Sequence, residues 1–404
     1  MIPVEEAIKL ISHNVGITNT ENISLKQCLG RVLSKNVASK ISNPPFDSSA
    51  MDGYALKASD TKNAPVNLKQ IGVSQAGAGF NDTVKFGETV RIFTGAPLPE
   101  GTDAVQIQEN TKVRGNQIKI LKSVNKYNFV RPIGLDFSKG DILIKAGTVL
   151  TARHIGLAAA MNLSALPVSR KPKVGIIATG DEIAMPGSEL KNYEIIGSNS
   201  FGLHGYIISM GGEPVDLGIS GDTIEQLNDS LKASIECDIL VTTGGVSVGD
   251  YDLVLKSLVE RGLKKIFHKI AMRPGKPLLF GKINNLVVFG MPGNPVSVGV
   301  CSFLFLRTAL YKMLGIKNKN ISKQIAVLAK DLDKNDVRED YLRGKLETNH
   351  KGEKIVIPLS KQESSMQAGF ANADCLIIRL ANAPSIKAGK QVEIINLSDS
   401  LLSF

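Results

Sequence analysis

Apolar positions follow three rhythms along this chain. Near the start, Val4, Ile8, Ile11 and Val15 share one helical face, and Pro3 fits ahead of a first turn. Asn43-Pro44-Pro45 breaks that pattern. From about Phe46 to Ser138 the chain carries short strand-like runs punctuated by Gly and Pro, such as 90–93, 104–107 and 117–120. They predict a small β-rich module. A helix returns over 151–160, and 169–172 reads as a linker. From Lys173 strands alternate with helices. Runs 174–178, 215–219, 238–242 and 286–289 read as strands; 201–210, 224–235, 253–260 and a long apolar stretch from Asn294-Pro295 to Gly315 read as helices. That alternation predicts a parallel α/β sheet covered by helices. The last 80 or so residues return to strand-like runs at 325–328, 355–357, 375–378 and 392–395 and predict a small barrel.

Composition narrows the classes. Hydrophobic residues make up 43% and charged residues 21% of the 404, as in an ordinary globular chain. Lys and Arg exceed Asp and Glu by 10, which admits nucleic acid, an anionic membrane or a small anionic ligand. Trp is absent and aromatics are only 5%, so base-stacking on single strands has little support. The start has no basic segment followed by an apolar one, and the most apolar window, 295–306, is shorter than the ~20 residues of a membrane span. Cys28, Cys237, Cys301 and Cys375 form no CxxC pair, and the His residues form no HExxH. A reducing, cytoplasmic setting is expected, and the motifs of the chain favour a small anion, with neither nucleic acid nor membrane as partner.

Candidate chemistry follows from the sheet. In an open α/β sheet, ligands bind beyond the C-terminal strand ends. Four loops qualify: 179–182, 219–222, 242–250 and 291–295. Their glycines, Gly244, Gly245, Gly249 and Gly293, let backbone N–H groups approach a phosphate, and the helices that follow add positive dipole ends. Asp181, Glu182, Asp222 and Asp250 lie in the same loops, and carboxylates beside phosphate call for a bridging Mg2+. Lys269, Arg273 and Lys276 supply cations nearby in sequence. Each signal has a plainer reading. Asp222 is more often a helix N-cap, and Gly-rich turns are often mere connections. There is no P-loop motif, and 244–249 has the wrong spacing for a dinucleotide fingerprint. A second constellation, 43–55, packs Asp47, Asp52, Ser48 and Ser49 beside a Gly turn, and 94–99 is also compatible with turns alone.

Taken together, the motifs resemble the molybdopterin molybdenumtransferase family, which includes the C-terminal part of gephyrin. The resemblance covers nearly the whole chain. It rests on Pro45-Phe-Asp-Ser-Ser-Ala-Met-Asp-Gly-Tyr-Ala55, Thr94-Gly-Ala96, Ala178-Thr-Gly-Asp-Glu182, Thr243-Gly-Gly-Val-Ser-Val-Gly-Asp250, Pro274-Gly-Lys-Pro277 and Pro292-Gly-Asn-Pro295. It implies four domains: a discontinuous one at 1–43 and 139–169, an inserted β module at 44–138, an α/β molybdopterin-binding domain at 170–320 and a β-barrel at 321–404. It also implies a homodimer whose cleft lies between one subunit's α/β domain and its partner's β module. The implied reaction inserts molybdenum from molybdate into adenylyl-molybdopterin and releases AMP. Adenylation of molybdopterin and non-catalytic scaffolding are the alternatives. Other enzymes of the pathway are possible docking partners.

The family's functional positions match Asp52, Thr94, Glu182, Asp222, Asp250, Lys269, Pro292 and Pro295. Arg273 stands where Lys is common. On this reading Asp52, Thr94, Glu182, Asp250, Lys269 and Arg273 act in catalysis, and Glu182, Asp222 and Asp250 hold Mg2+. Asp222, Thr243, Gly244, Gly245, Ser247, Gly249, Lys276, Pro292, Gly293, Asn294, Pro295 and Arg343 bind substrate.

Overall fold

A computed structural model describes residues 1–221, 224–244, 253–317 and 321–398. Its centre is a six-stranded sheet. The strands run in the order Glu213–Ser220, Lys173–Thr179, Ile239–Thr243, Leu286–Met291, Leu279–Ile283, Lys264–His268. The first four are parallel, as their apolar runs predict. Leu279–Ile283 is antiparallel to both of its neighbours, so the sheet is mixed at that side. This strand and Lys264–His268 are short and interrupted by Gly or Lys, which hid them from the apolar pattern.

The helix Pro295–Leu314 runs through the main core. Pro at its first position is preorganised for helix, and Gly315 at φ 73° closes it in the left-handed region. It has the length and apolarity of a membrane span, yet 89% of its apolar window is buried inside the fold. Arg307 is part of that interior, its guanidinium lying over the Phe303 and Tyr311 rings. The same core takes in Val4, Ala7 and Ile11 of the first helix, Val4–Asn14, and Tyr341, Leu376, Ile378 and Ile395 of the C-terminal strands. One helix therefore joins three parts of the molecule. A second cluster, with Ile177, Leu240, Leu258 and Val288, fills the other face of the sheet.

The C-terminal strands close on themselves. Glu339–Thr348 pairs with both Lys354–Pro358 and Cys375–Arg379, and the circuit is completed through Lys323–Leu328 and Gln391–Asn396. This is a five-stranded barrel, as the strand-like runs predict. The inserted module forms a six-stranded sheet that includes Gly53–Leu56, Glu88–Ile92 and Ala104–Ile107. The chain on either side of it meets again: Val37–Ala38 pairs with Ile142–Ile144, and Thr20–Ser24 pairs with Ala165–Ser169. The segment 169–172 is held more firmly than a linker. Arg170 forms a two-pronged ion pair with Asp238, at 2.9 and 2.8 Å, across the edge of the sheet opposite the candidate loops.

Candidate functional site

The C-terminal ends of Lys173–Thr179, Ile239–Thr243 and Leu286–Met291 lie side by side and open onto a cavity of about 410 Å3. Its walls include Thr179, Glu182, Thr243, Gly244, Gly293, Asn294 and Pro295. Glycine is required where these loops cross. Gly244 has φ +88°, and a Cβ there would lie 2.5 Å from the Thr179 carbonyl oxygen. The Thr179 hydroxyl donates to the Thr243 carbonyl at 3.2 Å and ties the two strand ends together. Gly293 packs beside it at ordinary contact distance, an added Cβ lying 3.9 Å from the Gly244 Cα.

Glu182 is exposed and forms part of the cavity wall. Gly180, at φ +137°, turns the chain so that a Cβ there would meet the Glu182 carboxylate at 2.5 Å. The Glu182 carbonyl accepts from the Ile195 N–H at 2.8 Å. This starts the parallel pairing of Ile183–Ala184 with Ile195–Ile196, which makes a flap over one side of the cavity. Hard carboxylate oxygens on a glycine-shaped turn suit Mg2+. The expected ligands Asp222 and Asp250 lie outside the described residues, as do Gly245, Ser247 and Gly249. Among the described residues no group of three His, Cys, Asp or Glu is placed to hold a metal.

The cations stand apart from these walls. Lys264–His268 is parallel to Leu286–Met291 with Leu279–Ile283 between them, so Lys269 follows the same sheet edge. Two strand spacings place it ~10 Å across from Met291. Lys269 has φ +80°, a conformation that L residues rarely adopt. The segment is held at the other end of the molecule's chain: Ile2 donates to the Lys269 carbonyl at 3.3 Å and accepts from Ala271 N–H at 2.8 Å. Lys276 is exposed. Arg273 is paired with the barrel and remains half exposed. Its guanidinium pairs with Asp340 and lies 3.6 Å from Asp336, while its backbone pairs in parallel with Asp340. The Asp340 hydrogen bond pushes the Arg273 guanidinium above its ordinary range. Beside it Asp336 is pulled down to about 2, first by the Arg338 side chain and then by the Arg338 N–H.

Asp52 and Thr94 meet on the inserted sheet, away from the cavity walls. One Asp52 carboxylate oxygen accepts from both the backbone N–H and the hydroxyl of Thr94, each at 2.8 Å. Those two bonds, the backbone one foremost, hold the carboxyl below its ordinary range. Pro292 is buried behind the cavity loop. Arg343, read from its motif as a substrate ligand, is 1% exposed inside the barrel, where its guanidinium donates to backbone carbonyls. It braces the site and does not reach into it.

The cavity also has walls that sequence reasoning missed. Asn199, at the start of the Asn199–Ser209 helix, donates from its side chain to the Gly293 carbonyl at 2.6 Å. Ser365 and Gln367 come from the barrel, some 70 residues after Asn294. The Ser198-Asn199-Ser200 helix start was a legible signal for Asn199; nothing local marked the barrel pair.

Comparison with known proteins places the family. The MoeA N-terminal region (domain I and II) matches residues 2–162, a probable molybdopterin binding domain matches 175–312, and the MoeA C-terminal region (domain IV) matches 325–397. A molybdopterin molybdenumtransferase of Haemophilus influenzae is 33% identical over 93% of this chain and 94% of its own. The chain belongs to the molybdopterin molybdenumtransferase family. A second member, from Bacillus subtilis, is 32% identical over 98% of this chain and 94% of its own. In three dimensions the chain is similar to the molybdopterin biosynthesis MoeA protein of Pyrococcus horikosii, with 32% identity and a TM-score of 0.88 over 99% of this chain and all of that one. The match to the probable molybdopterin binding domain, 175–312, takes in the sheet whose edge carries the cavity.

Proposed function

We propose that this chain transfers molybdenum from molybdate to adenylyl-molybdopterin, releasing AMP and forming molybdenum cofactor. The observation that carries the reading is the likeness to molybdenumtransferases along the full chain, together with a glycine-shaped cavity at the C-terminal edge of the molybdopterin-binding region.

The residues divide the work. Glycines 244 and 293 let the substrate approach the backbone at the strand ends. Glu182, with Asp222 and Asp250, would hold Mg2+. That ion would offset charge on the pyrophosphate as AMP departs. Lys269 and Lys276 draw molybdate or phosphate to the same sheet edge, with Arg273 shared between that anion and the barrel's carboxylates. Asp52 and Thr94 serve a partner's cavity in a homodimer. In support, exposed apolar side chains flank both halves: Ile195, Ile196 and Phe201 near the cavity, and Phe46, Met51 and Phe129 near Asp52. Apolar surface of this kind favours burial against another chain. The reaction belongs to the cytoplasm, where other enzymes of the pathway would deliver and collect the pterin.

The test separates two adenylyl chemistries. Incubation with adenylyl-molybdopterin, Mg2+ and molybdate is expected to release AMP. Incubation with molybdopterin and ATP but no molybdate is expected to leave the ATP intact. Pyrophosphate formation from ATP in the second mixture would replace the transferase reading with an adenylyltransferase.

A further inference from the structure

The cavity that Glu182 lines also has a neutral contribution from the barrel. Among the described residues that line the cavity, Glu182 is the only charged one, and Lys and Arg are absent. Hydroxyls and side-chain amides make up the rest of the polar lining, and two of these side chains, Ser365 and Gln367, belong to the barrel. Both are exposed. A side-chain amide offers donors and acceptors together, which suits an uncharged heterocycle better than a phosphate.

The segment that carries them is rigidly braced. Arg343 donates to the carbonyls of Glu363 at 3.1 Å and Lys361 at 3.4 Å. Gln362 exchanges bonds with the Arg343 backbone at 2.9 and 3.0 Å. The Ser364 hydroxyl accepts from the Asn294 side chain at 2.7 Å, and the Ser364 carbonyl accepts from Val296 N–H at 3.1 Å. Beyond Gln367, the Phe370 ring lies against Gly299, where a Cβ would come within 2.2 Å of it. The buried guanidinium is the costly part of this brace. Desolvation pushes Arg343 below its ordinary range, and the carbonyls of the turn are what hold its guanidinium in place. Exposed polar groups on a segment fixed by several hydrogen bonds are what a preorganised recognition element requires.

We infer that Ser365 and Gln367 are substrate-binding residues that recognise an uncharged heterocycle of the substrate, with Arg343 as the positioning residue that fixes their turn. This rests on the transferase reading and adds a specificity element from the barrel. Adenylyl-molybdopterin has two such heterocycles, the pterin and the adenine, and both carry the required donors and acceptors.

The test titrates the full-length protein with molybdopterin and, separately, with AMP. Gln367→Ala is expected to weaken one of the two about tenfold with an unchanged melting temperature; the ligand affected identifies the heterocycle. Ser365→Ala should weaken the same ligand by less, and Gln367→Asn should restore part of the loss. In turnover, Arg343→Lys should raise KM while sparing kcat, and adding it to Gln367→Ala should cause little further change, because both act on one contact. Affinities for both ligands within twofold of wild type in Gln367→Ala would overturn the inference, as would fully additive effects of the Arg343 and Gln367 changes. If the wild-type protein binds neither ligand, the transferase reading itself falls.

Discussion

The cavity above the central sheet and the Asp52–Thr94 corner of the inserted sheet both present a carboxylate, and they do so in opposite ways. Around Glu182 the chain builds an enclosure: three strand ends, a glycine at 244 that tolerates no side chain, a flap and a turn from the barrel. Around Asp52 it builds only an orientation. Two hydrogen bonds from one threonine fix the carboxylate on an open surface, with no enclosure of its own. A pocket needing a further group and a presented group needing a pocket are complementary. In the homodimer proposed from the family resemblance, the second would serve a partner's site.

The largest effect should come from the enclosed side. Glu182→Gln keeps the shape of the side chain and removes its charge, so AMP release should fall by about 10²–10³-fold, the range for losing a group that stabilises transition-state charge. The circular dichroism spectrum should not change. Unaltered turnover would remove Glu182 from the chemistry. Asp52→Asn should cost about tenfold to a hundredfold, and it offers a sharper experiment. In a mixed dimer of Asp52→Asn with Glu182→Gln, a site shared between subunits leaves one cleft with both native carboxylates. Activity should then reappear on mixing two feeble variants. No recovery in verified mixed dimers would return Asp52 and Glu182 to the same chain.

A smaller effect is expected at Thr94. Thr94→Val removes the hydroxyl bond and leaves the backbone N–H bond in place. The Asp52 carboxyl, held low by both, should rise toward its ordinary value, and the acid limb of the pH–rate profile should move upward with it. An unmoved acid limb would show that Asp52 ionisation does not govern the rate.

The smallest effect concerns stability at the joint between sheet and barrel. Asp336 has a lowered pKa in the fold, about 2, so its contribution is complete above about pH 4 and is lost as pH falls toward 2. Arg273→Ala leaves Asp340, nearly buried, without its guanidinium. It should cost about 1–3 kcal/mol at pH 7, discounted because the arginine itself is half exposed. For Arg338→Ala, which removes the side-chain bond that chiefly holds Asp336 low, the difference from wild type should shrink below pH 4. A constant difference down to pH 2 would contradict the ion-pair account.

The same two regions show what a single sequence reveals. Repeated apolar runs disclosed the parallel strands and the 295–314 helix, because burial on both faces leaves a continuous signal. The inserted sheet was legible as short strands, though the nine-residue strand Val66–Ser74 was masked by its polar positions. Antiparallel Leu279–Ile283 was missed because its length and its Gly give no period. At the site, Glu182, Thr243, Gly244, Gly293, Asn294 and Pro295 were found because they follow strand ends. Ser365 and Gln367 reach the same cavity only through closure of the barrel, which no local pattern encodes. Arg343 belonged to a recognisable stretch, but only its burial reveals that it braces a turn.

The most direct test is a single-turnover mixture of this protein with adenylyl-molybdopterin, Mg2+ and molybdate, in which released AMP and pterin-bound molybdenum are counted together. The account predicts one AMP for each molybdenum incorporated, and neither when molybdate is omitted. AMP released at the same rate without molybdate, or AMP with no molybdenum on the pterin, would contradict it.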